Sequence, residues 1–310
     1  MGERPGSMRA GLAFVGLAAL IWGTIGVAVS LLYALAATNP FSIGFLRLLI
    51  AAPALLLASR LMVGPALWRV QRPHLLVMGL IGAAFAGYQL CYFAAIPRLG
   101  VAAAVMINIC SAPIFTALLA GFFLRERFYW LTGVALVGAI GGTALLVGGA
   151  PTSGGPTLWI GAALALGAGF CYSLVVLGSR VVAPHYHPLQ PITMAFTLGA
   201  VVLLPPALAS GLVVGYPPAG WALLFYLGLA PTAFAYVLYL RGLRTVPATA
   251  AAIVSLLEPL GSTMLAVLLL GERLRPGGIA GAALLLASMA LLYVGQGGMR
   301  PSESATTGLT

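Results

Sequence analysis

The sequence predicts an all-α integral membrane protein of ten transmembrane helices, arranged as two inverted five-helix repeats. Three observations lead there: an extreme apolar bias, ten apolar stretches of spanning length, and a register shared by the two halves. Of 310 residues, 61% are hydrophobic and 6% charged, and the mean hydropathy is +1.08. A soluble domain draws about a quarter of its residues from Asp, Glu, Lys and Arg. Most of this chain is therefore solvated by lipid.

A helix crosses about 30 Å of hydrocarbon with roughly 20 apolar residues. Stretches that meet this requirement run approximately 11–36, 41–63, 74–97, 100–124, 128–149, 157–182, 188–210, 218–241, 247–270 and 277–296. The breaks between them carry turn chemistry or charge: Asn39-Pro40, Arg69 to Pro73, Pro97 to Gly100, Arg125-Glu126-Arg127, Pro184 to Pro188, Tyr216-Pro217-Pro218, and Glu272 to Gly278. The first stretch follows Arg4 and Arg9, as a secretory leader would. Its apolar run of about 25 residues exceeds the 7–15 of a leader, so it reads as a retained helix.

Orientation follows from arginine. With the N-terminus in the cytoplasm, eleven arginines fall on the cytoplasmic side, among them Arg60, Arg69, Arg72, Arg180, Arg241 and Arg244. Three fall outside (Arg98, Arg273 and Arg275), and Arg47 lies within a span. The positive-inside rule then places both termini in the cytoplasm, as expected for a bacterial inner-membrane protein.

Shifting the chain by 146 residues brings the halves into register without gaps from about Tyr88 to Gly149. Pro113 falls on Pro259, Glu126-Arg127 on Glu272-Arg273, and Ala144-Leu145-Leu146 on Ala290-Leu291-Leu292. The expected organisation is a first repeat over 1–149, a Gly-rich linker over 150–156, a second repeat over 157–296 and a cytoplasmic tail over 297–310. Five spans per repeat force the second copy to enter the membrane upside down. Such repeats are a signature of secondary transporters, because each half can adopt the shape of the other.

Composition also excludes chemistry. All fifteen basic residues are Arg and all five acidic ones are Glu. Without Lys there is no Walker A loop and no pyridoxal Schiff base; without Asp there is no aspartyl-phosphate. No cofactor is expected. Cys91, Cys110 and Cys171 lie in apolar stretches with no C-x-x-C pair, and His185 and His187 flank Tyr186 between prolines. They read as small buried hydrophobes and as a loop, so no metal site is expected. The net charge of +10 sits at span ends and points to lipid headgroups and not to nucleic acid. An intramembrane enzyme would need a nucleophile, a base or metal ligands at membrane depth; with no Asp, and all three His near loops, no protease or metal-site constellation can be assembled. The chain is not expected to be an enzyme.

Trp22-Gly23 in the first span, Arg47 in the second, Pro113 in the fourth, Glu258-Pro259 in the ninth, and the two Glu-Arg pairs together resemble the EamA group of the drug/metabolite transporter superfamily. The resemblance covers roughly residues 11–296, and within the superfamily it leans toward bacterial amino-acid exporters of the aromatic type. It implies a central cavity lined chiefly by spans 1, 3, 4, 6, 8 and 9, and facilitated or ion-coupled efflux of a small molecule. Amino acids with aromatic or hydrophobic side chains are the expected cargo, with lipophilic cations as the alternative.

The candidate site residues follow. Glu258 is the one carboxylate in the interior of a span, where a charge costs at least about 2.5–3.5 kcal/mol. It reads either as a proton acceptor or ammonium contact, or as a structural carboxyl beside the Pro259 kink. Arg47 reads as a clamp for a carboxylate or as an anchor onto neighbouring carbonyls. Since the second span is peripheral in the family, the anchor is favoured. Pro113 and Pro259 each remove a helical hydrogen bond at matched positions and are expected to act as hinges or to free site carbonyls. Pro53, Pro205 and Pro231 lack such pairing and read as passive kinks.

Polar and aromatic residues on the expected cavity helices complete the set: Trp22; Tyr88, Gln89 and Tyr92; Asn108 and Ser111; Tyr172; Tyr236; Ser255. An aromatic cavity with few charges suits an apolar solute or a cation held over rings; interhelical packing must account for part of the list. Trp130, Trp159 and Trp221 start spans and read as interfacial belt residues. Gly138-x-x-x-Gly142 and Gly277-x-x-x-Gly281 permit close helix packing, within one chain or in a homodimer.

Overall fold

The computed structural model describes residues 5–123, 130–148, 155–246, 251 and 254–297. Among the described residues every regular element is helical, as lipid demands: with no water to receive them, backbone N–H and C=O groups must pair within the segment. The elements are α1 (Pro5–Gly23), α2 (Ile25–Leu35), α3 (Pro40–Val63), α4 (Arg72–Leu99), α5 (Val101–Phe123), α6 (Trp130–Gly148), α7 (Pro156–Val182), α8 (Leu189–Ala209), α9 (Pro218–Gly228), a π-helical stretch (Leu229–Phe234), α10 (Ala235–Gly242), α11 (Leu257–Leu270) and α12 (Pro276–Gly297). Seven continuous helical segments are long and apolar enough to cross a membrane, and three shorter apolar helices, Gly133–Leu146, Leu257–Leu270 and Pro276–Leu291, accompany them. The exterior is apolar: Leu61, Leu76, Val137 and Leu268 each expose more than 65% of their surface, which only lipid can cover without cost.

Three spans expected as single helices are interrupted. The first breaks at Thr24, whose hydroxyl donates to the Ile21 carbonyl at 2.6 Å and competes with the helical ladder. The eighth widens into the π-helical stretch around Pro231, which has no N–H to give. In the ninth a turn at Leu256 precedes α11, just ahead of Pro259.

Several of the helix packings recur under exchange of the halves. The first span (α1, α2) packs on the eighth (α9, α10) and the ninth (α11); correspondingly the sixth (α7) packs on the third (α4) and fourth (α5). The second (α3) packs on the eighth, and the seventh (α8) on the third. Self-paired contacts, α3 with α8, α5 with α11 and α6 with α12, lie on the exchange axis. The Gly-x-x-x-Gly motifs of α6 and α12 meet each other within the chain. A Cβ on Gly142 would lie 2.9 Å from the Gly281 carbonyl, and one on Gly281 2.6 Å from that of Gly142, so the backbones touch.

The loops sort by end. At one end Tyr186 accepts from the Gln71 backbone at 3.1 Å and bonds His74 Nδ1 at 2.8 Å, and Arg244 donates to His187 Nε2. Burial, with help from that guanidinium, holds the His187 imidazole below its usual pKa. The His-Tyr-His run is thus a loop junction. Arg60, Arg69, Arg72, Arg180, Arg241 and Arg244 belong to this end by helix direction. At the other end Asn39 caps α3 by accepting from Ser42 N at 2.9 Å and donates to the Ser210 and Gly211 carbonyls at 3.3 and 3.2 Å. Arg98, Arg273 and Arg275 belong there.

Candidate functional site in the bundle centre

Twelve residues of α11 separate Glu258 from Leu270, so its carboxyl lies about 18 Å below that helix end. Two features of the first span set its surroundings. Gly23 packs on the backbone of α11: a Cβ there would lie 3.0 Å from the Glu258 carbonyl and 3.1 Å from Ser262 N. Trp22, next along, donates Nε1–H to the Pro231 carbonyl at 2.8 Å, and its ring meets Tyr236 and Tyr239 at centroid distances of 5.0 and 5.1 Å. The Trp-Gly pair thus brings the first span onto the ninth through glycine and onto the eighth through indole.

The aromatic wall is continuous. Tyr88 lies 5.4 Å from Tyr172 and 6.1 Å from Tyr92, Phe85 stacks on Phe196 at 4.3 Å, and Phe196 meets Tyr236 edge-on at 5.1 Å. Glu258 is half-buried, and Tyr88, Tyr92, Tyr172, Tyr236, Tyr239 and Arg47 all lie within electrostatic reach of it.

Arg47 is 1% exposed. Its Nε donates to Thr232 Oγ1 at 2.7 Å, and that hydroxyl donates in turn to the Leu227 carbonyl at 2.7 Å, across the π-helical stretch. The guanidinium carbon sits 5.8 Å from the Phe93 ring centroid, a cation–π contact. Nη1 is buried with no hydrogen-bond partner. The sequence favoured an anchor on a peripheral span. The structure shows an anchored Nε, and a buried side chain turned to Thr232 of the eighth span and the Phe93 ring. The reason is Gly228, where a Cβ would lie 3.1 Å from the Arg47 carbonyl; its absence lets α3 close on the eighth span.

Two amides are buried with both polar atoms unpartnered: Gln89, one turn before Phe93 on α4, and Asn108 on α5. The Tyr88 side chain lies near Asn108 without a hydrogen bond between them. Buried amides without partners are rare, and each costs about 1–3 kcal/mol. The two serines are already engaged. Ser111 donates to the Asn108 carbonyl at 3.1 Å and packs where Gly169 lacks a side chain; Ser255 donates to the Ala251 carbonyl at 2.9 Å. Pro113 lies within an unbroken α5, whereas Pro259 is buried just after the turn that opens α11.

Sequence reasoning took Pro231 for a passive kink, whereas its carbonyl receives Trp22, and it passed over Thr232. A Pro-Thr pair inside an apolar span was the available signal, but neither residue has a polar counterpart in the first repeat. Glu272, expected only as half of a repeat marker, accepts from Val101 N at 2.6 Å and Ala102 N at 3.0 Å, capping α5 across the repeat boundary. Its partner pair Glu126-Arg127 lies outside the described residues.

A multi-pass helical bundle with exchangeable halves and a polar, aromatic-walled centre defines the class of membrane transporters built from repeated units. The chain belongs to the EamA-like transporter family, which matches residues 9–148 and again 159–294. It is 31% identical over 297 residues to an uncharacterised transporter of Bacillus subtilis, YwfM, covering 94% of this chain and 96% of that one. It is 29% identical to the uncharacterised inner membrane transporter YicL of Salmonella typhimurium, covering 93% and 96%. A probable terminal-alkyne amino-acid exporter of Streptantibioticus cattleyicolor is 29% identical over 187 residues, covering 59% of this chain and 61% of that one. A solved structure 20% identical in sequence superposes with a TM-score of 0.64, covering 94% and 99%, and shares the fold.

Proposed function

We propose that this transporter is a secondary exporter of small metabolites, with amino acids bearing aromatic or hydrophobic side chains as cargo. In this reading ten spans form two inverted five-helix repeats in the bacterial inner membrane, with both termini in the cytoplasm, and the solute site alternates between the two faces. The observation that carries the reading is the polar centre itself: Glu258 within a wall of Trp22, Tyr88, Tyr172 and Tyr236, at the seam between the halves. A mostly apolar pocket with a few placed polar groups suits a small solute with an aromatic or aliphatic body. The exchangeable packing supports alternating access, and the name of the Streptantibioticus relative agrees with amino-acid cargo. Pro259 beside the Leu256 turn suits a hinge in the helix that carries Glu258.

Solute counterflow in proteoliposomes tests this. Vesicles preloaded with unlabelled Trp, Phe, Met or Thr should accumulate the labelled form above protein-free controls. Glu258→Gln should change the pH dependence of that flux if protons are coupled at this site. Lipophilic-cation export is the second reading, favoured by Glu258 beside several ring faces. Absence of counterflow for every amino acid, with folded protein that protects cells from toxic cations, would select it instead.

A further inference from the structure

Resting on the amino-acid reading above, we propose that Arg47 and Glu258 hold the two ends of one zwitterionic ligand, its carboxylate on Arg47 Nη1 and its ammonium on Glu258. Three observations converge. Arg47 is buried and permanently charged, held by Nε on Thr232, and leaves Nη1 without a partner. A guanidinium carries five N–H donors in a fixed fork that matches a carboxylate, so anchoring one edge aims the rest. Glu258 lies within electrostatic reach of Arg47 but forms no ion pair with it, so the two opposite charges are not in contact with each other. Finally, neighbouring amides are also unsatisfied: Asn108 beside Tyr88, and Gln89 on the helix face of Phe93, over which Arg47 lies. Buried charge left half-paired is costly, and a ligand of opposite polarity at each end removes the cost at both.

The chemistry selects the ligand class. A lone cation would satisfy Glu258 but sit in the field of Arg47. A lone carboxylate would satisfy Arg47 and oppose Glu258. A free α-amino acid satisfies both, with its side chain toward Tyr88, Tyr172 and Tyr236. Arg47 belongs to the first repeat and Glu258 to the second, so one small molecule bridges the halves. Its binding energy then favours the state in which the halves are closed on it, which is the differential affinity that a carrier requires.

The test uses full-length protein in proteoliposomes and the first of Phe or Trp to show counterflow. Competitors are the same amino acid, its decarboxylated amine (2-phenylethylamine for Phe) and its deaminated acid (3-phenylpropionate). Each analogue should compete roughly 30-fold more weakly than the amino acid, the lower range for loss of one partner of a buried charge pair. Arg47→Gln should lose the preference over the amine while keeping that over the acid. Glu258→Gln should do the reverse. A purely structural role would lower all three affinities together. If Arg47→Gln does not fold, the wild-type analogue series and Arg47→Lys, which keeps charge but not the fork, still decide. Equal competition by amine and amino acid would overturn the assignment while leaving the exporter reading intact. No counterflow of any amino acid by folded wild-type protein would overturn both.

Discussion

Thr232 shows how one hydroxyl can position a charge. It accepts from Arg47 Nε and donates to the Leu227 carbonyl, so it holds the guanidinium and fills the gap in the π-helical ladder at once. Thr232→Val keeps the shape and removes both bonds. Leaving a buried charged donor unpaired should cost about 3 kcal/mol or more, read as a lower unfolding temperature in detergent, and Thr232→Ser should restore most of it. At this scale the sequence was partly legible. Glu258 and Arg47 announced themselves because charge inside a span is costly wherever it points. Thr232 did not, since a hydroxyl within a span ordinarily bonds its own helix. Arg47 was placed at the right depth but its facing was open, because the direction of a side chain depends on which neighbour the helix meets.

Among the elements, the helix starts and breaks carry most of the chemistry. The N–H groups at the start of α5 have no intrahelical acceptor, and Glu272 supplies one from the far repeat. A carboxylate there also meets the positive end of the helix dipole. Glu272→Gln keeps one accepting oxygen and loses the charge, so it should cost about 0.5–1 kcal/mol. Glu272→Ala should cost more, and thermal unfolding of the purified variants orders the two. Gly100 has φ 81°, and a Cβ there would meet the Glu272 carboxylate at 2.9 Å; the turn and the cap depend on the same absent side chain. The Gly-x-x-x-Gly stripes were visible as motifs, but whether they served a dimer or one chain was not. Spacing defines a flat helix face; it does not name the face opposite.

The whole molecule sorts its arginines by end: the loops that meet through Tyr186 and His187 carry one set, and the end joined by Asn39 and Glu272 carries Arg98, Arg273 and Arg275. In a background without native cysteines, Cys at His185 should react with an impermeant thiol reagent only from the cytoplasmic side. Cys at Gly211 should react only from the opposite side. Labelling of both positions from one side would break the proposed orientation.

By itself the sequence determined the solvent of this protein, the approximate helices and the division into related halves. Each is a property of local composition or of its repetition, and lipid penalises any other solution. Tertiary structure alone decided that the second span's arginine donates to Thr232 of the eighth span, that Trp22 ties to a carbonyl 209 positions away, and that Glu272 caps a helix of the other repeat. Those pairings join residues far apart in the chain, and only the packing of helix faces, set by where glycine lets backbones touch, determines which distant groups meet.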